Sequence, residues 1–325
     1  MTAFAGRADV MGAVPVRIRV NGGVRVVDWL PLPPSASRRP FFAQAIRDCQ
    51  ETQVPVRTKI EVLHAAAADR AASRVAGGVI AHMSRCGSTL LSACMKEVDG
   101  VLILSEPPIV SALLRGGDAD APTLRGVLAL YAEHFGCSRV VVKLPSVSSR
   151  HVVRYRRATG RQPAVLLFRD PVEVAISNLL RPGGFMRLDV RDAARVFGGD
   201  ASRIARMSSA EYCAMAIHRY LLTLLREASR NDMIVVDYAE LRGETIARIV
   251  ESVLGPLTPA QCARIAAVSR MDAKDPSRSF EPDSERKQRQ ATPELRALLH
   301  ESNELYRQLA ARQRIDISPD REVTA

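Results

Sequence analysis

The sequence predicts an α/β fold, a three-layer sandwich with a central parallel sheet, plus a short N-terminal β-hairpin region. Two observations support this fold class. From residue 77 onward, short apolar runs alternate with helix-length segments, which is the pattern of βαβ units. Before that point, an Asn-Gly pair separates two strand-like stretches. We therefore divide the chain into an N-terminal accessory region, 1–75, and a main α/β domain, 76–325.

The accessory region begins with the predicted hairpin. Val14 to Val20 alternates apolar and basic residues, Asn21-Gly22 supplies the turn, and a strand-like pattern resumes from Val24 to Leu30. Four prolines between residues 31 and 40 then predict a loop. An alanine-rich stretch from His64 to Ala76 predicts a helix that leads into the main domain.

The main domain contains five predicted strands, each short and apolar. They are Gly78–Met83, Val101–Leu104, Arg139–Leu144, Ala164–Phe168 and Met233–Asp237. Helices are predicted between them at Thr89–Glu97, Thr123–His134, Arg150–Ala158, Val172–Leu180 and Glu211–Ser229. After residue 240 the chain is predicted to be mainly helical, with a charged interruption over residues 272–290.

Composition indicates an ordinary globular protein of a reducing compartment. The apolar share is 47%, and the six cysteines are scattered without a CxxC pair, which argues against zinc knuckles and a disulfide framework. No apolar run approaches the roughly 18 residues of a membrane helix. Arg7 and Asp9 interrupt any signal-peptide core, so we expect a cytoplasmic protein without a membrane partner. The net charge of +11 suits an anionic ligand, whereas 5% aromatic residues make nucleic-acid binding a minor possibility.

The first apolar run of the main domain is followed by a small polar loop that suits an anion. Residues 84–89 read Ser-Arg-Cys-Gly-Ser-Thr, and an apolar helix continues from Leu90. The free N–H groups and the dipole of a first helical turn attract phosphate, while Gly87 permits close approach and Arg85 adds charge. Serine and threonine here are equally compatible with simple helix capping. The Walker A pattern GxxxxGK[ST] is absent, which counts against an ATP-driven NTPase.

A second segment, residues 167–177, joins a predicted strand end to a helix start. Asp170 and Pro171 form a usual helix opening. On that basis alone, Arg169 would be a solvated surface charge and Ser177 an ordinary helix residue.

Together, the two segments resemble the donor-binding motifs of PAPS-dependent sulfotransferases. The resemblance is to the bacterial branch of this family and implies its P-loop-type fold. The first is similar to the 5′-phosphosulfate loop PKSGTTW or PRSGTTL, with arginine for the common lysine at 85 and cysteine for serine at 86. The second is similar to the 3′-phosphate motif RxPxxxxxS. The resemblance covers residues 77 to 290 and implies 3′-phosphoadenylyl sulfate (PAPS) as the donor. It implies 5′-phosphosulfate contacts from Arg85, Cys86, Gly87, Ser88 and Thr89, and 3′-phosphate contacts from Arg169 and Ser177.

Two further stretches fit the same resemblance. Residues 235–241 are similar to the family's YEDL-type strand end, so Tyr238 lies either near the nucleotide or simply at the edge of the core. Residues 274–290, with Arg278, Arg286 and Lys287, fall where the family has a basic segment closing over the donor. An RKG signature is absent there, and we assign no specific contact.

Sulfuryl transfer requires an acceptor held in line, charge stabilisation and a base. Glu106 follows the second strand and resembles the general base of some bacterial and Golgi sulfotransferases; otherwise it is a solvated loop carboxylate. Lys143 ends the third strand and, with Arg85, is predicted to stabilise the transferring group, unless it only extends to solvent. His82, predicted to be packed, and His151, at a helix start, rank below Glu106 as bases. No metal site is predicted.

We therefore expect an enzyme that transfers a sulfuryl group from PAPS to a hydroxyl or amine of a small-molecule acceptor. A P-loop small-molecule kinase would need a Walker lysine and a magnesium-binding aspartate, and a non-catalytic relative would have lost its phosphate ligands. A nucleic-acid binder is suggested by the net charge alone. Residues 181–207 are either a flap over the acceptor or a surface loop. The accessory region either shapes that pocket or mediates a homodimer.

Overall fold

A five-stranded, all-parallel sheet forms the centre of the protein, as seen in a computed structural model that describes residues 4–73, 75–116, 121–229, 232–272 and 283–312. The central sheet consists of β4 Ala76–His82, β5 Val101–Ser105, β6 Arg139–Lys143, β7 Ala164–Phe168 and β8 Met233–Asp237. Three earlier strands, β1 Val14–Asn21, β2 Val24–Leu30 and β3 Val56–Lys59, belong to the accessory region. The predicted α/β class with a central parallel sheet is confirmed.

Helices flank this sheet and make up most of the remaining chain. They are α1 Phe42–Gln50, α2 Ile60–Ala68, α3 Ser88–Met95, α4 Pro108–Gly116, α5 Ala121–Phe135, α6 Val152–Ala158, α7 Pro171–Leu180, α8 Val190–Phe197, α9 Ala201–Ala205, α10 Ser209–Ala228, α11 Gly243–Leu254, α12 Pro259–Ser269, α13 Ser284–Gln290, α14 Pro293–Leu298 and α15 His300–Ala310. Short 3-10 helices lie at Ala8–Val10, Pro34–Arg38, Ser146–His151, Gly184–Arg187 and Tyr238–Glu240. In the described residues, no helix is long and apolar enough to cross a membrane.

The strand order of the central sheet is β5-β6-β4-β7-β8. The chain after β4 moves to one side to build β5 and β6, and then to the other side to build β7 and β8. Such a reversal opens a crevice at the carboxyl ends of the strands, where ligands collect in parallel sheets. The central strands are apolar throughout because helices cover both faces; every residue of β7, for example, is buried.

The accessory region folds into a three-stranded antiparallel sheet of order β1-β2-β3. Asn21 pairs with Val24, so the two turn residues are Gly22 and Gly23 rather than the predicted Asn21-Gly22. Their φ angles of 57° and 79° are both positive, as a two-residue hairpin turn of the right twist requires. The hairpin itself is confirmed.

The accessory sheet packs against the main domain rather than standing apart. The Tyr131 hydroxyl of α5 donates a buried hydrogen bond of 2.6 Å to the carbonyl of Pro15 in β1. Phe42 of α1 meets the same tyrosine edge to face, with ring centroids 5.5 Å apart. Buried residues of both regions, such as Trp29 and Val165, belong to one continuous hydrophobic core.

Local patterns misjudged several elements of the accessory region. The helix expected from His64 to Ala76 ends at Ala68, and Ala76 already starts β4. Neither α1 nor β3 was predicted. Helix α1 starts at Phe42 without a side-chain cap and buries an apolar stripe, so its packing stabilises it where its N-terminus provides no signal. Strand β3 is four residues long, and its pairing with β2 defines it.

Candidate functional site

The carboxyl ends of all five central strands supply the predicted site residues. In chain order, β4 is followed by the loop of residues 84–89, β5 by Glu106, β6 ends at Lys143, β7 is followed by Arg169, and β8 by Tyr238. Because parallel strands end at the same edge of a sheet, residues from five distant segments share that edge. Ser177 follows on α7, two turns after Arg169.

The loop after β4 closes tightly onto the start of α3. Gly87, immediately before the helix, has a left-handed φ of 81°. A Cβ atom at this position would lie 2.7 Å from Cδ2 of Tyr238, so the tyrosine ring packs directly on the loop. The first N–H groups of α3 have no carbonyl partner within the helix, and the Ser88 N–H lies against the Cys86 thiol. Ser88 is buried, with its Oγ 3.3 Å from Nδ1 of His82, and Thr89 is half-buried.

Cys86 turns its side chain away from this surface. The thiol is fully buried and donates a hydrogen bond of 2.8 Å to the carbonyl of Met83. Burial raises the pKa of Cys86 to about 12, so the group stays a neutral thiol. The Cys86 side chain is thus not exposed at the surface of the loop, where its contact was predicted.

Arg85 lies at the rim of the loop with an unusual positive φ of 63° for a non-glycine residue. Its Nη2 donates a hydrogen bond to the carbonyl of Arg181, at the end of α7. Within the described ranges, its buried Nε has no hydrogen-bond partner. Burial, together with the positive charges of Arg181 and Arg187, lowers the pKa of Arg85.

Arg169 is buried and points back to the same loop. Its Nη1 donates a hydrogen bond of 3.3 Å to the carbonyl of Arg85, and its guanidinium carbon lies 3.9 Å from the centroid of the Tyr238 ring. Two carboxylates hold the group: Glu173 accepts from Nε at 2.6 Å, and Asp283 accepts from Nη2 at 2.9 Å. Burial opposes the charge, yet Tyr238, Glu173 and Asp283 together raise the pKa of Arg169, which remains cationic.

Among the described residues, Ser177 makes only a local contact. Its Oγ donates a hydrogen bond of 2.6 Å to the carbonyl of Glu173, one turn earlier in α7. The next residue, Asn178, is the one that connects the helix to the loop. It is fully buried, and its Oδ1 accepts hydrogen bonds of 3.3 Å from Ser84 Oγ and from the Gly183 N–H. The sequence analysis missed Asn178.

Glu106 and Lys143 form an ion pair beside the loop. Lys143 Nζ lies 3.2 Å from Glu106 Oε1, and the lysine side chain is fully buried while the glutamate remains 30% exposed. The Glu106 backbone N–H also donates to the Lys143 carbonyl at 2.8 Å, with a left-handed φ of 58° at Glu106. Phe41 of the accessory region covers the lysine, with its ring centroid 4.7 Å from Nζ. The partly exposed carboxylate of Glu106 therefore lies beside the buried ammonium group of Lys143.

The two histidines differ in their surroundings. His82 is buried as predicted, and burial followed by the charge of Lys143 lowers its pKa, while Glu106 opposes this shift. It therefore belongs to the Glu106–Lys143 neighbourhood as a neutral ring. His151 accepts a hydrogen bond from Arg150 Nε at 3.2 Å. Burial and nearby arginines lower the pKa of His151 to about 4.

The segment from Asp283 to Gln290 packs over the start of α7. Besides binding Arg169, Asp283 accepts a hydrogen bond from Lys287 Nζ at 2.6 Å. Ser284 Oγ donates to Glu173 Oε2 at 3.0 Å, and Gln288 Nε2 donates to Asp170 Oδ1 at 2.9 Å. Arg278 lies outside the described residues. Lys287 thus comes close to Arg169, while Arg286 is exposed.

A scan against models of protein families found no match, and a search of curated proteins found no significantly similar sequence. In the described part of the chain, no group of three or more metal-ligating side chains is assembled. The function has to be argued from the site itself.

Proposed function

We propose that this protein is a sulfotransferase that moves a sulfuryl group from PAPS to a hydroxyl or amine of a small-molecule acceptor. The observation behind this proposal is the direct contact between two anion-binding elements. Arg169, after β7, donates to the carbonyl of Arg85 in the loop after β4. PAPS carries two separate anionic groups, the 5′-phosphosulfate and the 3′-phosphate. It therefore matches the loop after β4 and Arg169 better than a nucleoside triphosphate, whose phosphates form a single chain.

Donor binding divides between the two elements. The backbone N–H groups at Gly87, Ser88 and Thr89, at the start of α3, suit the 5′-phosphosulfate, and Arg85 adds charge at the rim. Arg169 suits the 3′-phosphate, because it is a buried, permanently charged fork beside the loop. The Tyr238 ring stacks on Arg169 and packs against Gly87, so it lies between Arg169 and the loop after β4.

The transfer step needs one proton acceptor and one cation. In our proposal, Glu106 takes the proton from the acceptor hydroxyl or amine as the new bond to sulfur forms. The bond between sulfur and the bridging oxygen breaks, and 3′-phosphoadenosine 5′-phosphate (PAP) leaves with that electron pair. Lys143, 3.2 Å from the carboxylate, stabilises negative charge on the sulfuryl and bridging oxygens. Its cover by Phe41 keeps this cation away from water.

Donor binding also requires a rearrangement. Both Glu173 and Asp283 accept hydrogen bonds from the Arg169 guanidinium, so a 3′-phosphate has to replace one of them. Asp283 is the one that can leave, because its side chain is 30% exposed and it comes from a separate segment. Glu173 lies in the first turn of α7, four residues after Arg169, and orients it.

The reaction we propose is cytoplasmic and metal-free, and the six free cysteines are compatible with a reducing compartment. A kinase remains the nearest alternative, yet the loop has Arg85-Cys86 and no Walker lysine. A non-catalytic relative is the other alternative, and the carboxylates bound to Arg169 are the observation in its favour.

Calorimetric titration with PAP, with ADP and ATP as comparators at fixed moderate salt, tests the proposal. We expect PAP to bind more tightly than ADP, and Arg169→Ala to weaken PAP by about 1–3 kcal/mol while leaving ADP nearly unchanged. Arg264→Ala is a suitable control, because this arginine pairs with Glu97 and Asp99 on another surface. Equal or tighter binding of ATP would favour the kinase, and no binding of any nucleotide would favour the non-catalytic relative.

A further inference from the structure

Three arginines that have no carboxylate partner among the described residues lie beside the loop after β4. They are Arg85 in the loop, Arg181 at the end of α7, and Arg187 at the end of the 3-10 helix Gly184–Arg187. Arg85 contacts the carbonyl of Arg181 directly. Across the ranges that the structure covers, none of the three forms an ion pair, and the side chains of Arg181 and Arg187 are exposed without a hydrogen bond.

The three positive charges repel one another. The charges of Arg181 and Arg187 are close enough to add to burial in lowering the pKa of Arg85, and no carboxylate of the described residues counteracts them. Like charges brought together without counter-charge are disfavoured, and this disadvantage disappears when an anion binds between them. Arg156, by contrast, is matched by Asp232 at 2.7 Å.

The segment that contains Arg181 and Arg187 runs from the loop toward Glu106. At its start, Gly183 packs so closely that a Cβ atom would lie 2.8 Å from Ser84 Oγ. In its middle, Phe185 is fully buried against Tyr220, with ring centroids 5.6 Å apart. The Tyr220 hydroxyl in turn donates a hydrogen bond of 3.0 Å to Ser146 Oγ, three residues after Lys143, which pairs with Glu106. The segment therefore forms a rim between the donor loop and the proposed base.

The donor alone does not account for all of this positive charge. The bridging phosphate and the sulfate of PAPS each carry one negative charge, and Arg85 with the N-terminal amides of α3 already suits them. Two further arginines on the exposed rim are then left for the other substrate.

We propose that Arg181 and Arg187 bind a negatively charged group of the acceptor, such as a carboxylate, phosphate or sulfate. The acceptor is then a small anionic molecule whose hydroxyl or amine reaches Glu106 while its anionic group lies on the rim. The guanidinium fork suits such groups because it can donate two parallel hydrogen bonds. This inference rests on the proposed sulfotransferase function and narrows its acceptor class.

Binding of a simple anionic probe tests the inference without knowledge of the natural acceptor. The full chain, with and without saturating PAP, is titrated calorimetrically with phenyl phosphate, and with phenol as the neutral analogue. The variant is Arg181→Ala/Arg187→Ala. Its matched control is Arg47→Ala/Arg226→Ala, which removes the same charge from exposed positions on α1 and α10.

We expect phenyl phosphate, but not phenol, to bind the PAP-loaded protein. The Arg181/Arg187 variant should lose about tenfold or more in affinity for this probe, with its PAP affinity changed less than about twofold and the control unaffected. Absence of phenyl phosphate binding, or equal binding by the variant, would overturn the inference. A parallel loss of PAP affinity would also overturn it, because the arginines would then serve the donor. If PAP does not bind the wild-type chain, the proposed function fails, whereas the titration without PAP still tests the arginine site.

Discussion

Asp283→Asn is the substitution that most directly tests how the proposed donor site opens. In the free protein, Asp283 accepts a hydrogen bond of 2.9 Å from the Arg169 guanidinium and also pairs with Lys287 at 2.6 Å. If the 3′-phosphate has to replace this carboxylate, every molecule of PAP that binds first breaks the contact. Asparagine keeps the shape and removes the competing charge, so we expect tighter binding of PAP.

The size of this effect follows from the exposure of the pair. A hydrogen bond between charged groups stabilises by about 1.5–3 kcal/mol, whereas an exposed ion pair contributes about 0.2–1 kcal/mol. The Arg169 side chain is 6% exposed and that of Asp283 is 30% exposed, so the contact lies between these limits. A value of about 1 kcal/mol corresponds to roughly fivefold tighter binding. ADP, which lacks the 3′-phosphate, should be nearly unaffected.

Calorimetry with PAP and ADP at pH 7 and fixed salt measures the change. Burial disfavours the ionised form of Asp283, but hydrogen bonds and charges from Lys287 and Arg169 outweigh burial and lower the pKa of this carboxyl in the folded protein. The carboxylate therefore stays ionised well below neutral pH, and the gain should be constant between pH 6 and 8. Glu285→Gln is the matched control, because Glu285 is 91% exposed and, within the described ranges, pairs only with Arg289. A PAP affinity that is unchanged, or reduced as in Arg169→Ala, would refute the idea that Asp283 competes with the donor.

Two further substitutions test the chemistry and the pH response. Glu106→Gln should leave PAP affinity within about twofold and reduce the turnover of any identified acceptor by about 10²–10⁴-fold, measured as PAP release; normal turnover would exclude Glu106 as the base. In the folded protein the pKa of His151 is lowered to about 4, whereas an unfolded chain titrates its histidines near pH 6.5. As the pH falls, the unfolded state therefore binds this proton before the folded state does. Stability should therefore fall as pH drops from about 6.5 toward 4, and His151→Gln should flatten this dependence in urea unfolding curves at a series of pH values. An identical slope in the two proteins would contradict the lowered pKa.

Much of the site could be predicted because its parts are local patterns. The strand, loop and helix around residues 84–89 follow one another without a gap, so their order in the sequence is also their order in space. The same holds for the helix opening at Asp170, whose side chain caps α7 by accepting a hydrogen bond from the Glu173 N–H. The pairing of Arg169 with Glu173 was within reach as well, since the two are four residues apart at a helix start.

Other parts of the site depend on contacts between distant segments. Asp283 lies 114 residues after Arg169, and the carbonyl that Arg85 contacts lies 96 residues further along the chain. Phe41, which covers Lys143, comes from a region whose first helix was not predicted at all. No periodicity or propensity within a segment encodes which distant side chain will meet it.

The sequence by itself determined the alternation of strands and helices, the position of the small polar loop of residues 84–89 and the residues at each strand end, because each of these is a property of neighbouring residues. Only the tertiary structure decided that Arg169 starts out bound to two carboxylates and that three arginines share one rim. It also decided that Phe41 of the accessory region covers Lys143, the partner of Glu106. These features arise from strand order and helix packing, where burial and charge act between residues far apart in the chain.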